Sequence, residues 1–174
     1  MDYSEKLKGK KILIVDDEPD ILETLEELLD MCTVDTATTF EAAEKFLNRE
    51  TYDAAILDIM GVRGYELLKI ATEKNIPALM LTAHALSPDN LIKSIKGGAY
   101  AYVPKDKLAD ITFFLVDIIE EKKKAGKPGG RWFARLKPFF DKKFDPGWRK
   151  KDEAFWGEFD RRNVVSKEDV DDLL

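Results

Sequence analysis

The chain has 174 residues, enough for one well-cored domain and an extension. Its formal charge of -6 divides unevenly: residues 1–126 hold 16 Lys/Arg against 24 Asp/Glu, so -8, and residues 127–174 hold 12 against 10, so +2. No basic face argues for nucleic acid, and the longest apolar stretch, Ile111 to Ile119 interrupted by Asp117, falls short of the ~20 residues of a membrane span. The lone Cys32 excludes an internal disulfide framework and reads as a buried or half-buried structural thiol.

The opening Met1-Asp-Tyr-Ser-Glu-Lys lacks the apolar core of a signal peptide, so a cytoplasmic protein is expected. Lys11-Ile-Leu-Ile-Val then reads as a buried strand ending at Asp16-Asp17. Pro19 suits a first helical turn, and Ile21, Leu22, Leu25, Leu28 and Leu29 form an apolar stripe behind it. A short strand is expected over Val34 to Thr38, followed by a helix capped by Thr39 with Ala42, Ala43, Phe46 and Leu47 inward. Tyr52-Asp-Ala-Ala-Ile-Leu-Asp gives a third strand ending at Asp58, and Tyr65 to Lys74 a third helix. Ala78-Leu-Met-Leu stops at Thr82. Ser87-Pro88 opens a fourth helix, which Gly97-Gly98 closes. Ala99-Tyr-Ala-Tyr-Val-Pro runs to Lys105, and a long helix spans about Lys107 to Lys124.

Five strand–helix alternations imply a parallel sheet with helices on both faces, an α/β fold. Ligands bind such a sheet at the carboxyl ends of its strands, where Asp16, Asp17, Asp58, Thr82 and Lys105 collect. Crowded carboxylates raise one another's pKa, and a hard cation such as Mg²⁺ relieves the repulsion. A hydroxyl and an ammonium at the same edge are donors suited to phosphoryl oxygens.

On those five positions, with Val15-Asp-Asp-Glu-Pro and Gly98-Ala-Tyr-Ala-Tyr, the sequence over roughly residues 9 to 125 resembles the receiver domain of two-component response regulators. The resemblance implies a flavodoxin-like sheet of order 2-1-3-4-5. It implies Mg²⁺ held by Asp17, Asp58 and the Met60 carbonyl, with Asp16 acting through a water. Asp58 would accept a phosphoryl group from a histidine kinase or phosphotransfer protein, Lys105 and Thr82 would hold its oxygens, and Thr82 with Tyr102 would form the switch. Met60 and His84 occupy places that tune phosphoryl lifetime. Such a chain is not an enzyme beyond assisting its own phosphorylation and dephosphorylation.

Two departures from the family stand out. Asp58-Ile-Met-Gly-Val-Arg-Gly is a shorter loop than usual and lacks a proline. Pro104-Lys105-Asp106 replaces Lys-Pro, so a trans Lys105–Asp106 bond is expected, because a cis bond there costs ~2.5–4 kcal/mol.

Lys122-Lys-Lys-Ala-Gly-Lys-Pro-Gly-Gly divides a domain over residues 1–126 from a mostly helical, aromatic-rich extension over 127–174. All three tryptophans and six of the ten phenylalanines lie beyond that break. Asp145-Pro146 is expected to open a helix with Trp148, Phe155, Trp156 and Phe159 on one side, and Val165-Ser166 to Val170 to form a capping box. The extension should pack on its own domain or in a homodimer. The face formed by the fourth helix, fifth strand and fifth helix is the expected place, since in the family that face responds to phosphorylation.

Competing readings are weaker. A degenerate receiver, acting as an unphosphorylated binding module, sits badly with five intact site residues. A phosphatase of the haloacid-dehalogenase kind places an aspartate two residues after its nucleophile, where this chain has Met60. Arg131-Trp-Phe-Ala-Arg-Leu-Lys interleaves basic and aromatic residues as a nucleic-acid surface does. Aromatics at helical spacing are more often core, so nucleic acid is disfavoured as a partner.

Overall fold

The computed structural model describes residues 2–163. Its strands are β1 (Lys11–Val15), β2 (Thr33–Ala37), β3 (Ala54–Asp58), β4 (Ala78–Thr82) and β5 (Ala101–Pro104). All pair in parallel, in the order β2-β1-β3-β4-β5. This is the expected flavodoxin-like order. β3 and β4 are buried at every residue, which is why their sequences run apolar instead of alternating.

Between the strands lie α2 (Pro19–Leu28), α3 (Phe40–Arg49), α4 (Gly64–Glu73) and α5 (Pro88–Lys96), and α6 (Ile111–Ala125) follows β5. The expected caps are present. Thr39 Oγ1 accepts the Ala42 amide at 3.2 Å, and Ser87 Oγ accepts that of Asn90 at 3.1 Å. Ahead of β1, a short helix α1 (Tyr3–Leu7), which the sequence did not announce, is capped by Asp2 and packs along α6. The helix expected from Lys107 begins instead as a 3-10 segment, Lys105–Asp110, and turns α-helical at Ile111. Cys32 is half-buried as expected, with Sγ 3.5 Å from the Leu7 carbonyl, and burial pushes its thiol up to about 11.

After Gly126, at φ +65°, come α7 (Arg131–Lys143) and α8 (Glu153–Arg162). The helix expected to open at Asp145-Pro146 does not form there. Gly147, at φ +75°, turns the chain, a 3-10 segment Lys150–Asp152 follows, and α8 begins only at Glu153. Val165 to Val170 lie outside the described residues.

α7 lies against β5 and α6. Asp117 of α6, fully buried, meets Arg135 of α7 through Nε at 2.8 Å and Nη2 at 3.2 Å, and Arg131 Nη1 is 3.7 Å from Glu120. The aromatic side chains of the extension pack on one another. Phe140 stacks on Phe144 at 5.3 Å between ring centroids, Phe133 stacks on Trp156 at 5.1 Å, and Trp148 meets Trp156 edge-on at 5.3 Å. Trp132, Phe133, Phe140, Phe144, Trp148, Trp156 and Phe159 are all buried. Among the described residues Met60 is the one large apolar side chain left exposed, and no helix is long and apolar enough to cross a membrane.

Candidate functional site

The register of the sheet brings the predicted side chains to one edge. Val15 pairs with Leu57, so the next residues, Asp16 and Asp58, leave their strands level with one another. Asp58 pairs with Leu81, which sets Thr82 one residue further out, and Thr82 pairs with Pro104, which sets Lys105 one further again. The four residues thus line the carboxyl edge of β1, β3, β4 and β5.

Lys105 is the centre of the charge arrangement. Its Nζ lies 2.9 Å from Asp16 Oδ2, 3.2 Å from Asp58 Oδ1 and 3.5 Å from Glu18 Oε1. Asp106 is not among its ion-pair partners, and no cis peptide bond occurs among the described residues. Lys105 therefore reaches the carboxylates without the family's Lys-Pro turn. Burial and the charge of Asp16 push the Asp58 carboxyl up to about 7, against the opposing pull of Lys105. Burial likewise raises Asp16, although the Glu18 amide and Lys105 favour its charged form. Burial works against the Lys105 ammonium, yet Asp16 and Asp58 together leave its pKa raised.

The loop after β3 closes on the carboxylates. Gly61 sits at φ +86°, and a Cβ there would collide with the Asp17 carboxylate. A Cβ on Gly64, the first residue of α4, would collide with the Asp58 carbonyl. Glycine at these two places is what lets the shortened loop approach so closely. Met60, just before Gly61, is 55% exposed, and His84, beyond Thr82, is exposed as well.

Thr82 and Tyr102 face inward. Thr82 Oγ1 accepts the Ala85 amide at 2.9 Å. Tyr102, fully buried in β5, donates its hydroxyl to the Ala85 carbonyl at 2.7 Å and accepts the Ser87 amide at 3.2 Å.

Carboxylate oxygens of Asp16, Asp17 and Glu18 lie within 4.8 Å of one another, with Asp16 buried and the other two exposed. A donor set of hard oxygens, one buried and two open to solvent, suits a small divalent cation that retains waters. Asp58 stands outside this tight group and is joined to it through Lys105. Glu18 is the member that the sequence reading passed over, although Asp-Asp-Glu was visible as a run.

Residues 12–112 match the family model for the response regulator receiver domain. The curated relatives include the two-component response regulator ARR18 of Arabidopsis thaliana, 35% identical over 103 residues, which are 56% of this chain and 16% of that protein. They also include the response regulator protein PilR of Pseudomonas aeruginosa, 35% identical over 105 residues, 57% of this chain and 23% of that protein. The chain thus matches less than a quarter of the length of either. Among solved structures, a CheY-like response regulator receiver domain protein from Methanospirillum hungatei JF-1 superposes with a TM-score of 0.62 at 28% identity, covering 67% of this chain and 98% of that one. A receiver domain protein from Clostridium thermocellum gives 0.58 at 29% identity, covering 66% and 97%. A family model that takes in more than half of the chain, over this fold and this strand-end constellation, shows that the chain belongs to the response regulator receiver domain family.

Proposed function

We propose that this chain accepts a phosphoryl group on Asp58 from a histidine kinase or phosphotransfer protein, in a Mg²⁺-dependent reaction, and signals through protein–protein contacts. The observation that carries the reading is the position of Lys105 Nζ between Asp58 and Asp16, beside a three-carboxylate cluster.

In the transfer, an Asp58 carboxylate oxygen attacks phosphorus in line, an acyl phosphate forms, and the bond from phosphorus to the donor nitrogen breaks. Lys105 needs little movement to take a phosphoryl oxygen, because its ammonium already lies 3.2 Å from Asp58 Oδ1. Thr82 accepts one N–H and retains a hydroxyl proton to donate to a second oxygen. Asp16, Asp17, Asp58 and the Met60 carbonyl would hold Mg²⁺. Magnesium, when bound, supplies positive charge against the phosphoryl oxygens. Met60 offers no hydrogen bond to orient an attacking water, whereas His84 does, so His84 is the residue we assign to tuning the lifetime of the acyl phosphate.

The domain division falls at Gly126, with residues 127–174 as an extension of the receiver. Self-association through the α5–β5–α6 face is disfavoured, because α7 already lies against β5 and α6. A location in the cytoplasm follows from a kinase-linked role.

Incubating the chain with a small phosphodonor and Mg²⁺ should add one phosphoryl group by intact mass. Asp58→Asn should abolish it, and Lys105→Ala should slow it far more than Lys107→Ala does. Unchanged labelling of the Asp58 variant would sink the assignment. A parent chain that takes no label leaves the degenerate, unphosphorylated module as the reading.

A further inference from the structure

Where the extension meets the amino edge of the sheet it leaves a cavity of about 280 Å³. Ile95 of α5 and Ala99, just ahead of β5, form the receiver's side of it. Trp132 of α7 and Phe159 of α8 form the side that belongs to the extension. The cavity lies at the opposite end of the strands from Asp16, Asp58, Thr82 and Lys105, and none of those residues lines it.

Hydrogen bonds hold the walls in place. The Gly129 amide donates to Glu121 Oε2 at 3.0 Å, the Trp132 indole N–H donates to the Gly129 carbonyl at 3.1 Å, and Asn163 Nδ2 donates to the Phe159 carbonyl at 2.8 Å. Gly130 lets Asn163 close on the linker, since a Cβ there would lie 2.6 Å from the Asn163 Cβ. The cavity is thus framed by the fold itself, as ligand pockets usually are.

Its lining divides by chemistry. Trp132 spends its N–H on Gly129, so both aromatic rings present apolar surface alone. Lys127 and Arg162, both exposed, supply positive charge. Lys127 has no ion-pair partner among the described residues, and Arg162 has only Glu158, 3.8 Å from its Nε. No acidic side chain is found among the described lining residues, and Glu121 is engaged with the Gly129 amide. An apolar cavity bordered by an ammonium and a guanidinium selects an organic anion, and charge-assisted hydrogen bonds from both groups suit a carboxylate. The volume lies just under the range of about 300–1,000 Å³ that drug-sized ligands fill, which limits the occupant to one ring. Rings on the wall favour an aromatic body over a branched aliphatic one.

We propose that this cavity is a binding site for a small aromatic carboxylate, its ring against Trp132 and Phe159 and its charge held by Lys127 and Arg162. The site needs no phosphoryl group on Asp58.

Titration of the full chain with benzoate at constant ionic strength tests this by proton–nitrogen NMR, because each of the three tryptophans gives one indole signal. Trp132 lines the cavity and the other two do not, so its signal should move saturably while those of Trp148 and Trp156 stay. Benzyl alcohol, which has the same ring without the charge, should bind about tenfold more weakly. Lys127→Gln and Arg162→Gln should each weaken benzoate about threefold or more and leave benzyl alcohol unchanged. A Trp132 signal that stays still at about 50 mM benzoate, where a nine-atom ligand of ordinary efficiency is bound, overturns the site. So does a shift led by Trp148 or Trp156. Equal affinity for benzyl alcohol overturns the anionic class, and variants that bind benzoate like the parent overturn the two cations assigned to it.

Discussion

At one edge of the sheet, β2 leaves Thr33 in solvent and Val34, Asp35 and Thr36 half-buried, with Asp35 receiving the Tyr52 hydroxyl at 2.8 Å. At the other edge, β5 is buried along its whole length, because α7 lies on it. An open strand edge invites pairing with other chains, and polar residues on β2 are one way to blunt it. Covering β5 with a further helix is another, and it has a different consequence. β5 carries Tyr102 and leads directly into Lys105, so the tail lies against the strand that delivers a site residue, whereas β2 meets the site through the bond from the Asp16 amide to the Ala37 carbonyl at 3.1 Å.

Phe140 separates the two edges most sharply. It is fully buried beside Tyr102, so Phe140→Ala should cost about 3–5 kcal/mol in denaturant unfolding. Val34→Ala on the opposite edge should cost about 1 kcal/mol or less. Equal costs would mean that the β5 layer is not part of the cooperative core.

A smaller loss, about 3 kcal/mol, is expected when Asp117→Ala removes the buried carboxylate that Arg135 forks. Urea unfolding with single-wavelength and backbone probes should show whether the tail then separates from the sheet as its own transition. A loss within error of zero would make the ion pair incidental to docking.

The smallest and most specific effect is in pH. Burial pushes the Glu121 carboxyl up to about 7, assisted by Asp117, against the Gly129 amide and Arg131 that favour its charged form. Its unfolded value is near 4.5, so between about 4.5 and 7 the folded state holds a proton that the unfolded state has lost. Stability from this group therefore falls as pH rises through that window and is level above it. Glu121→Gln, which keeps an oxygen for the Gly129 amide, should gain on the parent over the same window by on the order of 2 kcal/mol. A parent-minus-variant difference that stays constant from pH 4.5 to 8 would refute the assignment.

The sheet was legible in the sequence because parallel strands covered on both faces appear as unbroken apolar runs, and because Thr39, Ser87 and Pro88 mark helix starts by their chemistry. Asp16, Asp17, Asp58, Thr82 and Lys105 were legible for the same reason: strand ends locate them. Glu18 was not, since an acidic residue before a helix looks like an ordinary dipole partner. α7 escaped because Pro138 lies inside it, and proline in a helical interior argues against the helix. Gly147 displaced the start of α8, yet Trp148 joins the same cluster from the turn, so the aromatic face was right in membership and wrong in backbone. α1 is five residues long, too short for periodicity to register.

The placement of the indoles gives the protein an optical division of labour. Trp132, Trp148 and Trp156 are its only tryptophans, all three are buried, and all belong to the segment beyond Gly126. The sheet and the acidic pocket contribute tyrosines and phenylalanines alone. Light absorbed at the red edge of the protein spectrum is therefore taken up by the tail and nowhere else. Emission excited there reads the hydration of α7 and α8 directly, with no label attached and no background from the domain they cover.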